Sequence, residues 1–219
     1  FDKDGKGKSI WDTFTHTPGK IKNNENGDTA VDHYHRYKED IGLMSDIKLN
    51  SYRFSLAWTR LIPEGTGSVN QKGIDFYSKV IDECLEKNIE PFITLYHWDL
   101  PQTLQDKGGW ANRDLSDIFA DYSEVVIKNY GDRCKNFITF NEPAVFTIFG
   151  YVDGYMAPGY KDLNKYFASV HHVNLAHGKA LKSMRSINKD LNLGCTLNMA
   201  PCIPATKSEE DKHATKLFD

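Results

Sequence analysis

The stretch Lys135-Asn136-Phe137-Ile138-Thr139-Phe140-Asn141-Glu142-Pro143 decides how the chain is read. Its first residues are apolar-rich with a β-branched side chain and predict a buried strand. The strand runs straight into an amide, a carboxylate and a proline. Proline fixes φ and has no N–H, so pairing ends there and Glu142 falls at the strand's C-terminal end. In parallel α/β folds that edge is where ligands bind. An acid next to an amide suits proton transfer beside a hydrogen-bonding group. The plainer reading is a carboxylate that caps the next element.

Working outward, Ser51 to Trp58 alternates strictly. Tyr52, Phe54, Leu56 and Trp58 share one face, and Arg53, Ser55 and Ala57 share the other. The large apolar set fits against an outer layer of helices. The smaller set then faces a crowded interior, where an inward arginine needs an anionic partner. Ile89 to Trp98 predicts the next strand, ending His97-Trp98-Asp99 before Leu100-Pro101. Asn192 to Asn198 predicts a further one. Residues 29–49, 70–87, 115–130 and 167–187 carry apolar side chains at helical spacing. In the second of these, Ile74, Tyr77, Ile81 and Leu85 share a face. Phe146 to Tyr160 reads as an aromatic, glycine-containing loop, with Phe146, Phe149, Tyr151 and Tyr155 lining an entrance or belonging to the core. Alternating helices and strands imply parallel strands joined by right-handed crossovers, in a closed eight-fold barrel or an open doubly wound sheet. No Gly-x-Gly-x-x-Gly follows the first strand, which disfavours a dinucleotide-binding version.

Composition narrows the partners. The 219 residues are 40% hydrophobic and 26% charged with a net charge of −3, an ordinary globular profile that gives no reason to expect nucleic acid or membrane as partner. No apolar run approaches the ~20 residues that span a bilayer. The chain opens on Phe1 rather than methionine, which predicts a processed or truncated start. Cys84, Cys134, Cys195 and Cys202 form no C-x-x-C pair, and a zinc site would need closer spacing. No Asn-x-Ser/Thr sequon occurs, which leans toward the cytosol. Gly7-Lys8-Ser9 imitates the end of a phosphate loop, but no strand precedes it. His171, His172 and His177 do not share a helix face, so they predict helix packing rather than a metal site. No metal and no cofactor is expected.

The strand ends offer Trp58-Thr59-Arg60, His97-Trp98-Asp99, Asn141-Glu142 and Asn198. They mix hydrogen-bonding groups with indole rings. A sugar needs that combination, because its hydroxyls want amide, imidazole and carboxylate partners while its C–H faces stack on aromatics. Basic residues are too few to favour phosphate, and carboxylate density is too low for a divalent metal.

Tyr52-Arg53-Phe54-Ser55-Leu56-Ala57-Trp58-Thr59-Arg60, Tyr96-His97-Trp98-Asp99-Leu100-Pro101-Gln102, Gly109-Trp110 and Thr139-Phe140-Asn141-Glu142-Pro143 together resemble the glycoside hydrolase family 1 β-glucosidases, over nearly the whole chain. The resemblance implies a (β/α)8 TIM barrel. Residues 1–219 would be the N-terminal part of that single domain, an incomplete portion covering about strands two to five. The first strand and the C-terminal half, including the nucleophile glutamate, would lie outside this chain. It further implies hydrolysis of O-linked β-glucosides or related β-glycosides by double displacement. By the same resemblance, Glu142 matches the general acid/base and Arg53 the cation that holds the nucleophile ionised. Asn141 matches the amide that bonds the sugar 2-hydroxyl. His97 matches a donor to glycone hydroxyls, Trp98 a wall of that subsite, and Asn198 an asparagine near the catalytic carboxylates. The implied partners are a small β-glycoside and the remaining half of the barrel.

Independent chemistry agrees. A retaining glycosidase needs two carboxyl groups about 5–5.5 Å apart, one protonated and one ionised. In such a pair the charge of one favours the protonated form of the other. Plainer readings stand beside these roles: Arg53 in a structural ion pair, His97 as a satisfied core histidine, Trp98 as packing. Other functional readings are a non-catalytic sugar-binding or receptor-like relative and a 6-phospho-β-glycosidase. Plant-type thioglucosidases carry glutamine at the position of Glu142, which favours an O-glycoside.

Overall fold

The computed structural model describes residues 3–218; Phe1, Asp2 and Asp219 lie outside them. The elements run α1 Ile10–Thr15, α2 His33–Asp46, β1 Ser51–Ser55, α3 Trp58–Leu61, α4 Gln71–Glu86, β2 Glu90–Tyr96, α5 Gln102–Gln105, α6 Leu115–Tyr130, β3 Asn136–Asn141, α7 Pro143–Tyr151, α8 Leu163–Ile187, β4 Asn192–Thr196 and α9 Glu209–Phe218. The strands form a four-stranded sheet in the order β1-β2-β3-β4. Every pairing is parallel. Parallel neighbours require crossovers, and α4, α6 and α8 with their loops supply them.

The helices cover one face of the sheet, and aromatic rings fill the layer between. Trp58 stacks on Tyr122 with ring centroids 4.4 Å apart, and Phe119 stacks on Phe140 at 4.5 Å. Trp110 stands edge-on to Tyr96 and Phe140. Close approach of α4 to α3 depends on Gly73, whose added Cβ would lie 2.0 Å from the Arg60 carbonyl oxygen.

Three expectations need correction. The first strand stops at Ser55, and Trp58 opens α3 rather than ending a strand. Alternation of large side chains continues to Trp58 because the short helix still faces the same layer. On α4, Cys84 is buried while Leu85 is 40% exposed, so the buried stripe runs Ile74, Tyr77, Ile81 and Cys84. Residues 143–151 form a helix, not a loop. Pro143 sits at its first position, where the missing N–H costs nothing and the fixed φ favours the helix. Phe146 and Tyr151 belong to the core, whereas Phe149 and Tyr155 are exposed and stand edge-on to each other with ring centroids 6.3 Å apart. Near the start, Ser9 is the N-cap of α1 in a reciprocal capping box with Asp12, which gives the Gly7-Lys8-Ser9 stretch a helix-starting role.

Candidate active site

At the carboxyl ends of β1, β2, β3 and β4 the polar side chains converge on the face opposite the helices. Arg53 is the hub. Its Nε donates to Thr94 Oγ1 at 3.0 Å, and its Nη2 donates to Asn141 Oδ1 and, at 3.3 Å, to Thr196 Oγ1. The Thr196 hydroxyl donates in turn to Asn141 Oδ1 at 3.1 Å. Guanidinium groups only donate, so the amide oxygen of Asn141 must face Arg53. Its Nδ2 therefore remains to donate to a ligand. The anionic partner expected for Arg53 is not supplied here. Among the described residues the guanidinium is bonded to neutral oxygens only. The structural ion pair is thereby displaced by a polar network open on one side.

The peptide between Asn141 and Glu142 is held at both ends. Trp98 Nε1 donates to the Asn141 carbonyl at 2.8 Å, and the Glu142 N–H donates to the Thr196 carbonyl at 2.9 Å. Glu142 itself adopts φ 44°, ψ 65° at the N-cap of α7, and Trp98 has φ 79°. Neither glutamate nor tryptophan favours the left-handed region, and each such residue costs about 1–3 kcal/mol that the surrounding structure must over-determine. The capping alternative for Glu142 can be judged directly. It occupies the cap position, yet its side chain makes no capping hydrogen bond, and the residue is only half-buried.

His97 is exposed and stands edge-on to Trp98 at 5.2 Å, which removes the core-histidine reading. Desolvation and the nearby Arg53 cation lower its pKa below the ordinary histidine value, against an opposing pull from Glu142. The ring is thus biased toward its neutral form, able to accept at one nitrogen and donate at the other. A cleft of about 690 Å³ opens beside Arg53, Ser55 and His97, walled by Tyr52, Phe54 and Met44.

Arg53, His97, Trp98, Asn141 and Glu142 are therefore brought together, and Trp98 serves the backbone through its indole N–H. Asn198 is not joined to them. It lies two residues beyond β4, exposed, with no side-chain hydrogen bond among the described residues. Thr196, at the end of β4, makes the contacts instead. Four of the residues offered at strand ends turn elsewhere. Trp58 and Thr59 are fully buried, and the Arg60 guanidinium lies 4.1 Å from the Tyr34 ring. Asp99 faces Lys6 and Asp12 of the N-terminal segment, and burial pushes its carboxyl up to about 6. Thr94 and Thr196 were missing from the sequence reading. Thr94 lies opposite Ser55 in the β1–β2 pairing, on the face that carries Arg53, and that register is not written in either strand alone.

Replacing Trp98 by Phe keeps the ring and removes the donor to the Asn141 carbonyl. A buried carbonyl left unpaired costs about 1–3 kcal/mol. The expected outcome is a loss of that size in unfolding free energy by denaturant titration, with no loss for Trp98→Phe contradicting the clamp.

An acid and an amide clamped beside an imidazole lie on the carboxyl rim of parallel strands laid down in chain order, the arrangement of a portion of a (β/α)8 barrel. The chain belongs to glycosyl hydrolase family 1, whose model matches residues 1–219. It is 54% identical over 215 residues to a 1,4-beta-D-glucan glucohydrolase of Thermotoga neapolitana, covering 98% of this chain and 51% of that protein. It is 52% identical over 217 residues to beta-glucosidase A of Acetivibrio thermocellus, covering 99% and 48%. Among solved structures, the family 1 β-glucosidase of Thermotoga maritima superposes with a TM-score of 0.96 at 51% identity, over 99% of this chain and 49% of that one. The same enzyme in complex with deoxynojirimycin gives 0.95 at 50% identity, again over 99% and 49%. The chain thus spans about half the length of the relatives it matches.

Proposed function

We propose that this chain supplies the acid half of a retaining β-glucosidase, cleaving O-linked β-glucosides or related β-glycosides by double displacement. The observation that carries the proposal is the Glu142 carboxylate, left out of capping while its backbone is clamped beside Asn141. In the first step Glu142 gives its proton to the leaving oxygen as a nucleophilic carboxylate attacks the anomeric carbon. In the second, Glu142 takes a proton from the water that releases the sugar. Asn141 Nδ2 donates to the sugar 2-hydroxyl, His97 bonds other glycone hydroxyls, and Trp98 walls the subsite with its ring while holding the Asn141 carbonyl with its N–H. Arg53 holds the attacking carboxylate ionised. That carboxylate and the rest of the barrel come from residues outside 1–219. Exposed apolar side chains support a further covering layer: Leu43 of α2 and Ile47 just after it are 58% and 70% exposed.

The free carboxylate at Glu142 favours an enzyme over a non-catalytic sugar-binding relative. The experiment is NMR of the first-formed sugar from an aryl β-glucoside treated with the full-length protein. The β-anomer is the expected product. An α-anomer first product, or no turnover at all, would overturn the reading. Residues 1–219 expressed alone should give no robust turnover, because the second carboxylate is then missing.

A further inference from the structure

We propose that His177, on α8 and remote from the ligand face, is a positioning residue for Glu142, acting through the Thr139 hydroxyl and a bulge in β3. The proposal rests on Glu142 being the acid.

Against β2, β3 keeps regular register, with Thr94 opposite Ile138 and Tyr96 opposite Phe140. Against β4 it does not. Ile138 pairs with Gly194 and Asn141 with Thr196, so three steps on one strand match two on the other. Such a bulge re-aims the side chains that follow it. Thr139 meets His177 of α8, and the next residue, Phe140, packs on Phe119 of α6. Two consecutive residues thus contact the helix layer, and Asn141 is delivered to the opposite face, where Arg53 and Thr196 bind it. Glu142 follows directly. The aim of both depends on Thr139 staying outward.

Proton bookkeeping fixes how Thr139 is held. Its Oγ1 lies 3.1 Å from the Gly194 carbonyl oxygen and 2.7 Å from His177 Nδ1. A carbonyl can only accept, so the hydroxyl proton goes to Gly194. The hydroxyl must then accept from His177, whose proton is on Nδ1. Burial, then the charge of Arg185, lowers the His177 pKa and favours this neutral ring. The result is a directional chain from α8 through β3 to β4, crossing the bulge three residues before Glu142. Thr139 is fully buried, so no water competes for its hydroxyl.

The test is made in the full-length enzyme. Single-turnover glycosylation is measured with an alkyl β-glucoside, whose departure needs the proton, and with a dinitrophenyl β-glucoside, whose departure does not. Thr139→Val and His177→Leu are expected to slow the alkyl substrate about tenfold or more, since small misplacements of a reacting group are costly. The dinitrophenyl substrate is expected to change by less than about threefold. Thr139→Ser and His177→Asn, which keep the hydroxyl and a donor near Nδ1, should recover most of the alkyl rate. Equal loss on both substrates would mean only a smaller folded fraction and would overturn the proposal. If Thr139→Val does not fold, His177→Gln, which moves the donor outward by about one bond, carries the same two-substrate comparison. A wild-type enzyme inert to both substrates would overturn the acid reading and the proposal with it. Wild-type turnover with a uniform loss in the variants would overturn the proposal alone.

Discussion

Glu142→Gln in the complete enzyme is expected to slow β-glucosides with poor leaving groups by about 10²–10⁴-fold, the usual contribution of a positioned proton donor. Activated aryl glucosides should suffer far less at the first step, because their leaving oxygens depart without a proton. The substitution is nearly isosteric. The Glu142 side chain makes no capping bond, and its backbone N–H to Thr196 is untouched by the change. The variant should therefore fold as the parent does. With activated substrates the second step becomes limiting, since no base remains to draw a proton from water. Azide, which needs no base, should then restore turnover. Glycosylation rates reduced equally for both kinds of leaving group would rule out the acid role.

Arg53→Met is the other large effect. Methionine replaces much of the apolar stem but none of the donors to Thr94, Asn141 and Thr196. Hydrogen bonds from a charged group are worth about 1.5–3 kcal/mol each, and loss of the one that orients the Asn141 amide is expected to lower kcat/KM by about a hundredfold. The variant also carries a signature. Asn141 Oδ1 would keep only the Thr196 hydroxyl, so its amide could turn and present either end to the ligand. A substrate lacking the 2-hydroxyl should then be penalised less by the variant than by the parent. Measuring kcat/KM for a glucoside and its 2-deoxy analogue with both proteins tests this. An undiminished 2-deoxy penalty would separate Arg53 from the Asn141 contact.

Local pattern was enough to reveal most of this fold. Period-2 alternation located β1, and helical spacing located α4, α6 and α8, because each element buries one face against the same aromatic layer. The misreadings came where one residue serves two elements. Pro143 ends a strand and begins a helix, and only the first role was visible locally. Trp58 continues a strand's facing pattern from within a helix. The site was legible as residue types at strand ends, since carboxylate, amide, imidazole and indole are chemically conspicuous. What holds them was not. Thr94, Thr139, Thr196 and His177 are ordinary-looking residues whose partners lie 38 to 55 positions away in the pairs Thr139–His177 and Asn141–Thr196. Neither periodicity nor motif spacing encodes such pairings. Asn198 differs in the converse way: the short β4 ends two residues before it, and its place in a motif does not bring it into the Arg53–Asn141 network.

The order β1-β2-β3-β4 leaves each strand beside the one made immediately before it. No strand in the sheet waits for a mate synthesised much later. As the polypeptide leaves the ribosome, each new helix and strand can settle on a finished neighbour, so the structure grows by accretion along one advancing edge. Translation pauses after residues 87, 130 and 187, where α4, α6 and α8 have been completed, would then coincide with natural resting points in assembly.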